Sequence, residues 1–246
     1  SWSGSGSGSY VGSNNPASVT MNSAMTETAD FVEQVTMTVS YSVVGDGTGY
    51  SAPTLNFVDG GVSKQYTLTT SPTAILVDDG SSWSLTPNPL PGSTSSERWF
   101  SSETLSGIAS TQTINFEFDH QYLETISYAV LGDGTGYSAP TFTANRNGVS
   151  TPQVLTTSSA GYWYDSGASW SITPNPLDGS TSSERWYSSQ TLNGTVSSAE
   201  TLVFTYGHEY YLTMAVSPIG GGVTDPISGW QNSGASQTIS GGTAVT

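Results

Sequence analysis

The chain has 246 residues, among them 28 Gly and 12 Pro but no Cys, and four Lys+Arg stand against 19 Asp+Glu for a formal net charge of −15. Four cations cannot neutralise a run of phosphates, which excludes a nucleic-acid binder, and no stretch approaches the ~20 consecutive apolar residues of a membrane-spanning helix, so no membrane insertion is expected. Charged residues are only 9% of the chain, yet aromatic residues reach 11%, and that apolar surface is enough to build packed cores rather than a disordered coil.

Residues 1–30 open on the Ser/Gly run Ser1-Trp2-Ser3-Gly4-Ser5-Gly6-Ser7-Gly8-Ser9, which reads as a linker or as the leader of a strand. From there the pattern is β. Val35, Met37, Val39, Tyr41 and Val43 alternate with Thr and Ser, the period of a half-buried strand. Further strands are predicted at 54–58, 64–69, 74–77, 82–85 and 111–118, with Gly, Pro, Asn and Asp turns between them.

A tandem repeat organises the rest. Gly45-Asp46-Gly47-Thr48-Gly49-Tyr50-Ser51-Ala52-Pro53 recurs letter for letter at 132–140; Ser82 to Leu90 returns at 169–177 with Leu85 changed to Ile172; and Gly92 to Trp99 returns unchanged at 179–186, all at one offset of 87 residues. The first strand returns at 122–130 and again at 210–216. Six or seven short strands per repeat with no helical period predict an all-β fold of tandem immunoglobulin-like antiparallel sandwiches. The expected domains are an N-terminal segment, 1–30, modules over 31–119 and 120–207, and a partial third module over 208–246. Asp119-His120-Gln121 and Gly207-His208-Glu209 read as three-residue links too short to let neighbouring modules move far.

The two ends look like halves of one module. Thr28 to Glu33 hold, in the repeat frame, the place of Asn115 to His120, though the residues themselves barely match, and the third module lacks counterparts of the Trp83 and Arg98-Trp99 blocks. A module short of strands exposes backbone edges that folded proteins pair or cover. A segment within 16–31, with Val19, Met21, Met25 and Phe31 as its apolar residues, is therefore expected to add to the incomplete sandwich of another copy, giving a head-to-tail filament.

No catalytic constellation is present, and neither an enzyme nor a cofactor is expected. The histidines, His120 and His208, are repeat-equivalent and read as structural groups at the module junctions. Glu97-Arg98-Trp99 and Glu184-Arg185-Trp186 read as corner ties, the guanidinium pairing with carboxylate and stacking on indole. Asp46 and Asp133 in the Gly-Asp-Gly-Thr-Gly loops are weak calcium candidates, one carboxylate each where a site gathers several, and a plain strand-joining turn is the better reading. Asn193-Gly194-Thr195 is the only N-glycosylation sequon. Lys64 is the sole lysine, and Glu124 stands where Met37 stands on the apolar face of the first strand.

The run His208-Glu209-Tyr210-Tyr211-Leu212-Thr213, with Val216-Ser217-Pro218 and a Gly triplet, resembles the tandem β-repeats of archaeal cell-surface proteins, and the 45–53 and 93–99 blocks look like a related repeat of S-layer-like and secreted proteins. The resemblance implies an extracellular, cell-surface structural protein, and archaeal surface filaments assembled by donor-strand complementation are similar in having sandwich subunits, an unpaired terminal strand and few charges. The expected function is a surface filament subunit, pilus- or thread-like, whose partners are copies of itself and glycans. The alternatives are an S-layer or adhesin stalk fragment, and an array of carbohydrate-binding modules.

Overall fold

A computed structural model describes residues 1–14, 16–214 and 227–234, and every described element is a strand. In chain order these are β1 (Trp2–Ser5), β2 (Thr26–Ala29), β3 (Gln34–Val44), β4 (Thr54–Asp59), β5 (Val62–Thr67), β6 (Thr73–Asp78), β7 (Ser82–Thr86), β8 (Glu97–Phe100) and β9 (Ser106–Ile108). They continue as β10 (Gln112–Leu131), β11 (Thr141–Arg146), β12 (Val149–Val154), β13 (Ala160–Asp165), β14 (Ser169–Thr173), β15 (Glu184–Tyr187), β16 (Asn193–Thr195), β17 (Thr201–Met214) and β18 (Ile227–Asn232). The protein is all-β, as its alternating pattern predicts.

The chain forms two compact units. One gathers Ser1–Ser42, Ser51–Pro91 and Ser102–Glu117; the other gathers Val43–Tyr50, Gly92–Ser101 and Phe118–Thr246. In the first, the four-stranded sheet β5-β4-β7-β9 faces β6, β3 and the first part of β10. Its core joins Met37, Val39, Val77 and Phe116 to Leu55, Phe57, Trp83 and Leu85, all buried. Trp83 meets Phe116 edge-on at 5.6 Å, and Gly107 leaves room for the indole, since a Cβ there would lie 2.7 Å from it.

The second unit repeats the plan. Sheet β12-β11-β14-β16 supplies Phe142, Ala144 and Ile172 to a core completed by Ile126 and Tyr128 of β10, Tyr164 of β13, and Phe204 and Tyr206 of β17. Opposed inner faces of this kind make a sandwich. β10 pairs antiparallel with β13 on one edge and parallel with β17 from Thr125↔Thr201 to Leu131↔Gly207. In each unit one aspartate anchors the hairpin turn of the four-stranded sheet: Asp78 accepts the Gly60 and Gly61 amides at 2.7 Å, and Asp165 accepts those of Asn147 and Gly148 at 2.8 Å.

The three-residue links of the sequence reading are not loops. Asp119-His120-Gln121 lies within the unbroken 20-residue β10, and Gly207-His208-Glu209 lies within β17. The polar letters mimic a turn, but all three of Asp119, His120 and Gln121 are buried, at 6%, 2% and 0% exposure, with β8 paired along them.

Candidate functional site

The invariant repeat blocks converge on the two histidines. β8 runs antiparallel to β10, from Phe100↔Asp119 to Glu97↔Tyr122. This places the Trp99 ring on the His120 imidazole at 4.9 Å, tilted 7°, with Nε2 donating to Glu97 Oε1 at 2.8 Å and the Tyr122 ring 4.8 Å away. Gly47 closes the far side. A Cβ at that residue would lie 2.8 Å from His120 Cε1, and its φ of +140° is one that L side chains rarely adopt. Tyr50 then packs on Trp99 at 5.3 Å. His120 Nδ1 and Trp99 Nε1 are buried without a partner among the described residues.

Arg98 points the other way, and here the sequence reading needs adjustment. Among the described residues it pairs with no carboxylate; its Nε donates to Gln121 Oε1 at 2.9 Å and its guanidinium lies between the Phe100 and Trp163 rings, 4.2 and 4.4 Å from their centroids. Burial, with the nearby Arg146 charge, lowers its pKa to about 10. Gln121 Nε2 passes the chain on to Asn147 Oδ1 and Asp165 Oδ1 at 2.7 and 2.8 Å, and the Ser166 amide donates to His120 O at 2.8 Å. Partly desolvated cation–π contacts of this kind contribute on the order of 1–2 kcal/mol.

The same clasp recurs around His208. Trp186 stacks on it at 4.9 Å and 9°, Glu184 Oε1 accepts its Nε2 proton at 2.8 Å, and Gly134 stands where Gly47 stands. Arg185 Nε donates to Glu209 Oε2 at 2.6 Å, with its guanidinium over Tyr187 and Trp230 at 4.3 and 4.2 Å. β18 therefore does for β17 what β13 does for β10. Tyr211 faces Trp230 as Leu123 faces Trp163, and Ser233 N donates to His208 O at 2.7 Å. Sequence reading missed β18, because only the place of Trp230 relative to His208 marks it.

At the start of β3 the pattern departs. Gln34 and Asp78 are kept, with Gln34 Nε2 donating to Asp78 Oδ1 at 3.4 Å and Asp59 Oδ1 at 2.5 Å. The amide of Gly61 above all, then that of Gly60, holds the Asp78 carboxyl below its ordinary range against the opposing effect of burial. But at the offset of 87, Glu33 replaces His120, Leu76 replaces Trp163 and Asp79 replaces Ser166; Leu76 is 54% exposed.

The N-terminal residues divide. Val19, Met21 and Phe31 are exposed, and Met25 is half-buried against the Gly6 and Gly8 backbone. Phe31 occupies the repeat position of Phe118, and of Tyr206 one module later. Those two are fully buried, while Phe31 is 88% exposed. β2 pairs antiparallel with β1 from Thr26↔Ser5 to Ala29↔Trp2, and the Asp30 amide donates to Ser1 O at 2.7 Å. The counterparts of that amide, Glu117 N and Thr205 N, donate to the side chains of Glu103 and Gln190 at 3.1 and 2.6 Å. β1 thus covers the edge that faces away from a module's first strand. The opposite edge of β2 has no strand along it among the described residues.

β17 offers a matching edge. On β10, the Leu123 amide donates to Ser96 O and the Thr125 amide to Glu200 O, where the last strand of the module joins. On β17, Tyr211 N donates to Ser183 O in the same way, but no described strand lies beside Thr213 on that edge. Residues 215 and 216 of the expected third-module strand lie outside the described residues.

Other candidates are dispersed. Asp46 and Asp133 sit in exposed loops, and no group of three or more His, Cys, Asp or Glu converges among the described residues. Asn193 is exposed on the edge strand β16. Trp83, Trp99 and Trp186 are buried, and Trp163 and Trp230 lie under the arginines. No described helix is long and apolar enough to cross a membrane.

No family model and no curated protein matches the chain. Solved structures with partial likeness include the major pilin T-13 of Streptococcus pyogenes, 10% identical over 72% of this chain and 97% of that one, TM-score 0.22. The Bacillus anthracis TIE protein is 10% identical over 84% of this chain and 41% of its own, TM-score 0.28. A leucine-rich repeat protein of Bacteroides thetaiotaomicron is 8% identical over 70% of this chain, TM-score 0.26, and the chain spans about a quarter of it, 26%.

Proposed function

We propose that the protein is an extracellular structural subunit that polymerises head to tail, residues 26–31 of one copy completing the sandwich begun by β17 and β18 of the next. The observation that carries this reading is Phe31, 88% exposed at the position where Phe118 and Tyr206 are fully buried. Burying that ring in a second copy contributes about 2–3 kcal/mol, and the edges of β2 and of β17 at Thr213, unpaired among the described residues, supply the backbone pairing. Such a contact joins unlike surfaces, so it propagates instead of closing. A filament of this kind on the cell surface also accommodates a glycan at Asn193, which is exposed.

A carbohydrate-binding array is weakened by the burial of the repeated Trp83, Trp99 and Trp186. Electron microscopy of the purified chain tests the reading. Wild type is expected to form filaments, and Phe31→Asp and a chain lacking residues 1–30 are expected to stay as soluble monomers with unchanged far-ultraviolet dichroism per residue of the two modules. Filaments of normal length from Phe31→Asp would overturn strand donation through this residue.

A further inference from the structure

Glu124 has no part in the clasps or in the chain ends considered above, yet it is only 2% exposed and its Oε2 has no hydrogen-bond partner among the described residues. Its counterpart in the first unit is Met37, fully buried, and Leu212 follows His208 at the same distance as Glu124 follows His120. The position is thus an apolar one that carries a carboxyl group in one module alone.

Among the described residues no cation acts on it. Tyr162 lies directly across on β13, and Tyr164, buried, is the next residue on the same face of that strand. Arg146 at the end of β11 acts on the Tyr164 hydroxyl. On its own strand, Tyr122 faces Glu97 of β8. From the start of the closing strand comes Glu200, whose backbone carbonyl accepts the Thr125 amide at 2.8 Å. That bond is the first link of the parallel pairing that runs on to Leu131↔Gly207.

We propose that Glu124 is a proton-dependent latch on the closing strand of the second unit: uncharged, it lets Glu200 and Thr201 seat against β10, and ionised beside the Glu200 carboxylate it loosens that first link. Burial, then the Glu200 charge, raises the Glu124 pKa from 4.5 to about 7, against a smaller opposing pull from the Glu200 backbone hydrogen bond. A carboxyl whose folded value lies above its unfolded one stabilises the fold fully below the unfolded value and loses that contribution as pH rises through the folded one. The latch is shut in acid and released above neutrality. It holds whether or not copies of the chain polymerise.

Equilibrium urea unfolding from pH 4 to pH 8 tests it, on wild type, Glu124→Gln, Glu124→Met and Glu200→Gln. The wild-type unfolding constant is expected to rise on the order of tenfold to a hundredfold from the acid to the basic end relative to Glu124→Gln. Glu124→Met, which copies the first unit, is expected to match Glu124→Gln, and Glu200→Gln to show a shallower rise than wild type. Apart from the substituted carboxyls the four proteins share every ionisable group, so the comparison isolates Glu124 and Glu200. The proposal fails if Glu124→Gln or, should that variant not fold, Glu124→Met keeps the wild-type slope, or if Glu200→Gln is indistinguishable from wild type.

Discussion

Gly47 and Gly134 show why whole blocks of the repeat are invariant to the letter. Each lies against a stacked imidazole, and a methyl group there meets the ring at 2.8 Å in addition to straining the backbone. Gly47→Ala is expected to cost roughly 2–3 kcal/mol in chemical denaturation, while Gly49→Ala, at φ +107° with nothing within 4 Å of its Cβ, should cost about 1 kcal/mol from backbone strain alone. Equal losses would show that the imidazole contact contributes nothing. The sequence revealed that the histidines recur at junctions but not what they touch, because Glu97 and Trp99 reach His120 only through the antiparallel register of β8, and Gly47 comes from the distant loop after β3. Phe31 was legible in principle: the offset of 87 aligns it with Phe118, but the poor match of its neighbours hides the correspondence until burial is compared.

Among the elements, long alternating strands were readable and short ones were not. β3 announces itself by its period, whereas β8, β9, β15 and β16 are three or four residues long and carry too few alternations to register. β10 was read as two strands because buried Asp119, His120 and Gln121 look like a polar turn in sequence. The edges of the four-stranded sheets carry another device. β5 holds the only lysine, Lys64, paired with Asp59, and β12 holds Pro152 opposite Thr143. A charge and a missing amide both discourage stray strand addition. Lys64→Val together with Pro152→Val is expected to raise irregular aggregation at neutral pH, measured by light scattering, without lengthening ordered filaments; unchanged scattering would remove the protective role.

At the scale of the whole molecule, one carboxyl in each unit is shifted by its surroundings, and the two shifts run in opposite directions. Asp78 in the first unit has a carboxyl held below its ordinary value chiefly by the Gly61 amide, so its contribution is present above the unfolded value near 3.8 and is lost as pH falls below it. Glu124 in the second unit works the other way, losing its contribution between 4.5 and about 7. Asp78→Asn should therefore flatten the acid limb of a melting-temperature profile by a few degrees and leave the basic limb unchanged. A variant that shifted both limbs alike would break the assignment of one limb to each unit.

The parallel pairing of β10 with β17 also decides how the second unit bears a pull. A strand that opens a module and a strand that closes it, lying parallel over the seven residue pairs from Thr125↔Thr201 to Leu131↔Gly207, are drawn in opposite directions when the chain is stretched from its ends. Their hydrogen bonds lie across the direction of tension, so they must rupture together in shear instead of unzipping one at a time. Stretched singly in a force spectrometer, this unit should yield in one abrupt event at high load, and a gradual, stepwise extension at low load would show that the parallel pairing does not carry the tension.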